Sequence, residues 1–187
     1  SHSDQNIIAY LSLWIARKSV VTRNSLILAQ LNTLQKTTLA DWKAIKKAIN
    51  ITLDPMIAAG ATVVTNQDGF QYLDTLTDAQ NRPLMVPDVT NPSTYRLFGK
   101  PIFLVPNAVL STVTEGTNKL APFIVGNFAE AVTMFERQGY LIASTSIGGT
   151  AFRTDRTEIR VIEREDVKLV DSGAVVYGQI NVASVLA

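Results

Sequence analysis

The sequence predicts an α+β fold, in which one long helix precedes a region of alternating helices and strands and then a region rich in strands. Three observations lead to this prediction. Residues 6–31 contain neither proline nor glycine, and their apolar side chains recur at nearly helical spacing. Residues 54–76 alternate between helix and strand signals. Residues 123–145 hold three apolar runs separated by turn-forming residues.

Composition narrows the possible functions. The chain has 187 residues, enough for one medium domain or two small lobes, and a domain of this size buries roughly 70% of its unfolded surface. Hydrophobic residues make up 47%, charged residues 18%, and the formal net charge is +1. These values exclude a disordered chain and argue against specific nucleic-acid recognition. The sequence has no cysteine, which excludes disulfides, thiolate zinc sites and cysteine nucleophiles.

The N-terminus and the histidine content restrict the prediction further. Residues 1–3, Ser-His-Ser, are interpreted as a cloning or protease remnant, so the native chain is expected to continue upstream. His2 is the only histidine, which argues against Ser-His-Asp triads and histidine metal sites. No apolar run approaches the length of about 18 residues that a membrane span needs, and no signal peptide is visible. We therefore expect a soluble protein made in the cytoplasm, with no membrane partner and no cofactor.

The first predicted element is a helix of about seven turns over residues 6–31. Arg17, Lys18 and Arg23 lie in its middle, so one flank is expected to face water while the other crosses a sheet. Core packing is the expected role of Trp14 and of the other apolar residues at helical spacing. These are Ile7, Leu11, Trp14, Ile15, Val21, Leu28 and Leu31.

Capping residues predict the next elements. After a polar break at residues 32–37, Thr38 and Asp41 have the spacing of a capping box ahead of a helix that includes Trp42. Asp54 followed by Pro55 predicts the start of a further short helix, ended by a glycine at position 60. A buried strand over residues 61–65 comes next, and Asn66 or Asp68 then begins another helix.

The following residues predict loops and isolated strands. Residues 83–93 contain three prolines and predict a loop, with at most an edge strand at 84–86. Residues 102–105 predict a strand between two prolines. The polar residues 111–121 predict a long surface loop.

Residues 123–145 and the C-terminus complete the prediction. The three apolar runs are interpreted as meander strands over residues 123–125, 131–137 and 140–145, with turns at 126–128 and 138–139. A last strand is predicted for residues 174–182.

The charged segment 152–168 is the most distinctive part of the sequence. As a strand, it places Arg156, Glu158, Arg160 and Ile162 on one face and Thr157, Ile159, Val161 and Glu163 on the other. Two interpretations are open. One is a solvated strand face, and the other is a self-complementary edge between subunits, where alternating charges set the register.

Enzyme and binding-module functions find little support in the residues. A hydrolase could use an aspartate as acid, base or metal ligand, but each candidate lies at a predicted cap, turn or exposed helix face. The candidates are Asp41, Asp54, Asp68, Asp74 and Asp78. The sequence lacks a phosphate-binding glycine loop. A monomeric binding module could use Trp14 and Trp42, but both lie on predicted apolar helix faces. We predict no catalytic, cofactor-binding or metal-binding residues.

The order of these segments resembles the C-terminal part of the major capsid proteins of tailed bacteriophages, which have the Hong Kong 97 fold. The similar stretches are the helix ending in "LAQLN", "ATVVTNQDGFQYLDTLTDAQNRPL", "LFGKPIFLV", "IVGNFAEAVTMFERQGYLI" and "FRTDRTEIRVIERED". The family's N-terminal arm and extended loop have no counterpart in this sequence.

The resemblance implies a fold and a division of the chain. It implies a Hong Kong 97-like capsid fold with a long spine helix, peripheral-domain strands and an α/β axial domain. Residues 4–32 and 147–166 correspond to the peripheral domain, and residues 33–146 and 167–187 to the axial domain. Some relatives form Lys–Asn isopeptide links near a buried acid. Here Asp155 stands at the amide position and Ile162 at the acid position, so no crosslink is expected.

The resemblance also implies a function: a capsid subunit of a tailed phage or prophage that self-assembles into capsomers and an icosahedral shell enclosing DNA. Its location is the virion capsid, assembled in the bacterial host cytoplasm. A scaffolding protein or protease during assembly is an implied partner. Candidate axis-facing residues are Thr114, Glu115, Asn118 and Lys119. Candidate inter-subunit contacts are Arg153, Asp155, Arg156, Glu158, Arg160, Glu163 and Arg164. An encapsulin-like cellular shell protein is the alternative within the same architecture.

Overall fold

A computed structural model describes the backbone of residues 2–186 and the side chains of residues 10–139 and 141–186. It confirms the α+β prediction. The helices are α1 (His2–Leu31), α2 (Trp42–Lys47), α3 (Pro55–Ala59), α4 (Gln67–Asp74), α5 (Phe128–Ala131) and α6 (Ala151–Thr154). A π-helical turn (Ala48–Thr52) extends α2, and a 3₁₀ turn (Ser172–Ala174) precedes the last strand.

The strands form two separate sheets. They are β1 (Lys36–Leu39), β2 (Thr62–Asn66), β3 (Met85–Pro87), β4 (Tyr95–Leu97), β5 (Lys100–Val105), β6 (Val113–Glu115), β7 (Asn118–Gly126), β8 (Val132–Thr145), β9 (Glu158–Leu169) and β10 (Val175–Asn181). The large sheet has the order β1-β10-β7-β2-β5-β4-β3, with β6 paired to β7. Strands β8 and β9 form a two-stranded antiparallel ribbon of their own.

Strand β7 is the centre of the large sheet. It pairs antiparallel with β10 on one side and with β2 on the other, and every residue from Leu120 to Gly126 is buried. Because side chains alternate along a strand, Phe123 and Ile124 point to opposite faces. Each belongs to a different core cluster, so both faces of the sheet are covered.

The first core cluster is covered by the short helices. Ile45 of α2, Ile49 of the π-helical turn and Leu73 of α4 pack with Phe123 and are essentially inaccessible to solvent. The second cluster is covered by the last turns of α1, where Leu31 is buried next to Ile124. The short helices are thus held mainly by burial of one face, since helices of this length are marginal alone.

The cap predictions are partly confirmed. Asp54 caps α3 by accepting a hydrogen bond from the Met56 amide at 2.8 Å, with Pro55 as the first helical residue. Asn66 is the residue that begins α4, since its Oδ1 accepts from the Gly69 amide at 2.8 Å. The capping-box prediction is wrong, because Asp41 is itself the N-cap of α2 and residues 36–39 form β1.

The prediction of a broad buried face on α1 is wrong for most of the helix. Trp14 is 50% exposed and Val21 is 57% exposed, while Leu31 is buried. The large sheet ends near the C-terminal turns of α1, so only those turns are covered by it. The Ile7 side chain lies outside the described residues. The expected core role of Trp14 therefore does not hold within the described part of the chain.

The predicted meander over residues 123–145 is also wrong in part. Residues 138–139 do not form a turn, because residues 132–145 are one continuous strand paired with β9. The register shifts between Glu136 and Gln138 and again between Gln138 and Leu141. These shifts are bulges, and each inserts one extra residue into β8 relative to β9. The apolar runs after residue 131 therefore build the ribbon and not the large sheet.

Candidate assembly surface

Helix α1 runs along the ribbon, and one arginine joins them. Arg23 Nε lies 2.7 Å from Glu165 Oε2, and its Nη2 lies 2.6 Å from Glu163 Oε1 and 3.2 Å from Glu136 Oε2. Ser19, one turn earlier on α1, donates to both carboxylate oxygens of Glu163 at 2.8 Å. We call residues 10–26 together with residues 132–169 the helix–ribbon arm.

The hydrogen bonds of this cluster shift the pKa values of Arg23 and Glu163. Hydrogen bonds to Glu163 and then to Glu165 raise the pKa of Arg23 above its ordinary value. The hydrogen bond from Ser19, followed by those from Arg23, lowers the pKa of Glu163. One oxygen, Glu165 Oε1, is buried and has no hydrogen-bond partner among the described residues. Three carboxylates thus surround one guanidinium. Glu163 binds Ser19 and Arg23 of its own chain.

The other candidate contact residues fall into two groups. Arg160 and Arg164 lie on β9 and alternate onto the face opposite Glu163 and Glu165. Arg153 and Arg156 precede β9, because the strand begins at Glu158 and not before. All four arginines are exposed, and none forms an ion pair within the described part of the chain. The four arginines are therefore free for a contact with another chain.

The remaining two candidates shape the loop between the ribbon strands. Glu158 Oε1 accepts hydrogen bonds from the Thr150 hydroxyl at 2.6 Å and from its amide at 3.2 Å. Gly149 has a φ of 61°, and a Cβ at this position would lie 2.7 Å from Glu158 Oε2. Asp155 ends α6 in the left-handed conformation. Glu158 and Asp155 thus have local structural roles.

The arm also exposes an unusual amount of apolar surface. On α1 the exposed side chains include Tyr10, Leu13, Trp14, Val20 and Val21. On the ribbon and its loop they include Met134, Phe135, Leu141, Ile142, Ile147, Phe152, Ile159 and Val161. Large exposed apolar patches mark interaction sites in folded proteins, so these side chains are candidates for a contact with another chain. The arm therefore combines free arginines with exposed apolar side chains.

The predicted surface loop at 111–121 is a β-hairpin. Gly116, with a φ of 62°, supplies the positive φ that a two-residue hairpin turn needs between β6 and β7. Thr114 pairs with Lys119 and Glu115 with Asn118. The Asn118 side chain accepts from Asn181 Nδ2 at 2.8 Å, and Lys119 Nζ donates to the Leu186 carbonyl at 3.1 Å. The loop prediction missed the pairing, and Leu120 is buried.

A polar network holds the base of this hairpin. Asn66 Nδ2 donates to the Leu110 carbonyl at 3.0 Å and to Thr112 Oγ1 at 2.8 Å, and Asn66 is fully buried. Asp68 accepts from Thr112 Oγ1 at 2.6 Å and from Asn107 Nδ2 at 2.9 Å. The network joins the start of α4 to the segment before the hairpin. It fixes the position of the candidate axis-facing residues.

The aspartates weighed as catalytic have structural contacts or lie exposed. Asp41 and Asp54 cap helices, and Asp68 belongs to the network at the hairpin base. Asp78 binds Arg82, and a hydrogen bond from the Arg82 amide is the main cause that lowers the pKa of Asp78. Asp74 is an exposed residue at the end of α4.

Neither a metal-binding cluster nor a membrane-spanning helix is found among the described residues. Within the residues that the structure describes, no three His, Cys, Asp or Glu side chains are grouped so that they could hold a metal ion. No helix in the described range is both long and apolar enough to cross a membrane.

Comparison with known proteins identifies the family. The model of the phage capsid family matches residues 5–180. This chain belongs to the phage capsid family. No curated protein matches the sequence. The fold of this capsid-family chain is also found in solved capsids.

Three solved structures show the similarity of fold. The capsid of an empty GTA particle gives a TM-score of 0.56 at 17% identity, over 78% of this chain and 49% of that one. The capsid of a native GTA particle gives 0.57 at 16% identity, over 78% and 48%. The Mycobacterium phage Che8 structure gives 0.52 at 15% identity, over 89% and 60%. The chain therefore has the predicted Hong Kong 97-like fold and spans about half the length of the GTA capsid chains.

Sequence reasoning missed the cluster that joins the helix to the ribbon. Of its members only Glu163 was a candidate, and it was assigned to a contact between subunits. A signal was present, because Ser19 and Arg23 are one helical turn apart and Glu163 and Glu165 share one strand face. What the sequence could not show is that these two faces meet, since they are separated by about 140 residues.

Proposed function

We propose that this chain is part of a major capsid subunit whose helix–ribbon arm binds neighbouring copies, so that copies assemble into capsomers and an icosahedral shell enclosing DNA. The observation that carries the proposal is the arm itself, with its exposed apolar side chains and unpaired arginines in a chain of the phage capsid family. Closed symmetry repeats one contact around each ring, so contacts that are weak singly stabilise the assembly together.

The role assigned to this subunit is structural and not enzymatic, and its location is the virion capsid, assembled in the host cytoplasm. The aspartates that could have served a hydrolase are caps, network members or exposed residues. The division into a peripheral and an axial part remains a proposal, as do the axis-facing role of Thr114, Glu115, Asn118 and Lys119 and the absence of a crosslink.

The unpaired arginines predict which charge the surface of the adjacent copy carries. Arg160 and Arg164 lie on one strand face, and the neighbouring carboxylates Glu163 and Glu165 are already bound to Arg23. The face of Arg160 and Arg164 also carries Glu158 and Asp166, but Asp166 pairs with Lys168 at 3.2 Å. This face therefore has a small excess of positive charge, and we expect it to meet carboxylates of the adjacent copy. Charges at the rim of an interface select the partner and its register more than they add affinity.

The test is to express the complete reading frame that encodes this chain and to follow assembly of the purified protein by negative-stain electron microscopy and sedimentation velocity. We expect rings or closed shells of uniform size. The variant Arg160→Glu/Arg164→Glu is expected to reduce assembly without changing the melting temperature. The matched control Lys36→Glu/Arg82→Glu, which changes the charge equally at exposed positions outside the arm, is expected to assemble normally. A protein that stays monomeric at all concentrations, or assembly unaffected by the arginine reversal, would contradict the proposal.

A further inference from the structure

Outside the arm, helix α2 and the turn after it present a basic surface that the shell proposal does not use. Lys43, Lys46 and Lys47 lie on the exposed side of α2, opposite the buried Ile45. The segment 42–52 contains three lysines and no acidic residue. Within the described part of the chain, none of the three lysines forms an ion pair.

Two of these lysines are positioned by aromatic rings. The Lys43 ammonium lies 5.8 Å from the centre of the Trp42 ring, and the Lys46 ammonium lies 5.6 Å from that of Phe98. A cation above an aromatic face is attracted by the ring, which limits the conformations of an otherwise flexible side chain. The nearby carboxylate of Asp41 is engaged as the N-cap of α2, 2.8 Å from the Ala44 amide. Two of the three charges are therefore held in place without being neutralised by an ion pair.

The same surface has an apolar component. A shallow depression of about 230 Å³ is lined by Trp42, Lys43, Lys46, Lys47, Asn50 and Ile51. Ile51 lies one turn beyond Lys47, and its apolar side chain is 72% exposed. A partner for this surface must supply negative charge to the lysines and apolar contact to the depression.

We propose that this lysine face binds an acidic, amphipathic segment of another protein chain. A nucleic-acid backbone would satisfy the lysines through its phosphates, but it has no apolar group suited to Ile51. An acidic peptide with a leucine or similar residue every three or four positions supplies both. From Lys43 to Ile51 the helical rise is about 12 Å, so roughly two turns of a partner helix match the surface.

The experiment measures binding by fluorescence anisotropy, with the whole chain and three labelled probes. The first probe is a 20-residue peptide of Glu and Leu with Leu at helical spacing, the second is the same peptide with Ser in place of Leu, and the third is a 20-base-pair DNA duplex. We expect the Glu–Leu peptide to bind more tightly than both other probes. Equal or tighter binding of the DNA would overturn the proposal, as would no detectable binding of the Glu–Leu peptide.

Variants separate the lysine face from general electrostatics. Lys43→Glu/Lys46→Glu/Lys47→Glu is expected to weaken peptide binding by about tenfold or more, from the loss of three exposed ion pairs. The control Lys18→Glu/Lys36→Glu/Lys168→Glu makes the same charge change elsewhere and is expected to retain most of the affinity. Ile51→Ser is expected to remove the preference for the Leu peptide over the Ser peptide. Equal losses in the two triple variants would contradict the assignment, and circular dichroism confirms that each variant is folded.

Discussion

In the large sheet, the neighbours Phe123 and Ile124 are both fully buried, whereas in the ribbon the neighbours Leu141 and Ile142 are 50% and 37% exposed. The difference follows from the number of layers. The large sheet is covered by α2 and α4 on one face and by the end of α1 on the other. The ribbon has two strands packed on one helix, so an edge of each strand and one face lack cover from the residues that the structure describes.

The two regions differ in what covers their apolar side chains. The sheet closes its core with residues of its own chain, so its stability is intrinsic. Within the arm, hydrogen bonds and ion pairs around Arg23 hold α1 to the ribbon, while many apolar side chains of the arm stay exposed. In a family whose members form capsids, such an arm fits a surface that neighbouring copies complete.

The largest effect is expected in the sheet. Phe123→Ala removes a fully buried ring from the central strand and is expected to lower the free energy of unfolding by about 3–5 kcal/mol. The control Phe152→Ala removes a ring that is 76% exposed and is expected to change it by less than about 0.5 kcal/mol. Chemical denaturation followed by circular dichroism measures both. Similar losses at the two positions would remove the contrast between the regions.

A smaller effect is expected at the base of the hairpin. Asn66→Ala removes a helix cap and two side-chain hydrogen bonds from a buried site, which is expected to cost about 1–3 kcal/mol. Asn50→Ala, at an exposed position, is the matched control and is expected to be nearly neutral. Thermal unfolding of the two variants makes the comparison. A neutral Asn66→Ala would show that the network does not hold the hairpin.

A third prediction is that Arg23 attaches α1 to the ribbon within the arm. Arg23→Met keeps the apolar stem but leaves Glu163 and Glu165 facing each other without a cation, so their repulsion is expected to loosen α1 from β9. Hydrogen exchange is expected to become faster in residues 132–169 and to stay unchanged in β7. Arg17→Met, earlier on the same helix, is the control. Faster exchange in both regions would mean that the arm and the sheet unfold as one unit.

The smallest expected effect is a change of stability with pH that depends on Glu163. The pKa of Glu163 is lowered in the folded chain, so its contribution to stability is present above the unfolded pKa of about 4.3 and is lost as the pH falls through the folded value. Wild type is therefore expected to be more stable than Glu163→Gln at neutral pH, and the gap is expected to narrow as the pH falls below about 4.3. Glu115→Gln in the exposed hairpin turn is the control. A gap that stays constant from neutral to acidic pH would contradict the assignment.

The elements that could be predicted from the sequence depend on local chemistry. Asp54 before Pro55 predicts a helix start because the side chain and the proline ring act within one turn, and Asn66 acts in the same way. The strand predicted for residues 174–182 is β10, within one residue at each end. For the two helix caps the decisive contacts lie within a few residues.

The failures depend on contacts between distant residues. Gln138 and Gly139 have the composition of a turn, yet pairing with β9 keeps them within one strand as part of a bulge. Strands β1 and β4 lack an apolar run, and they exist because β10 and β5 offer them an edge. Trp14 has the spacing of a core residue, but no other part of the described chain buries it. Periodicity shows that a side chain is apolar and does not show which chain covers it.

Hydrogen exchange of the protein encoded by the complete reading frame, measured before and after assembly, shows whether neighbouring copies cover the arm. We expect amides of β7 and β10 to be protected in both states. Amides of the arm, residues 10–26 and 132–169, are expected to exchange faster than those of β7 in the free subunit and to become more protected on assembly. Arm amides that are equally protected in both states, or that stay unprotected in the shell, would contradict the claim that neighbouring copies complete this surface.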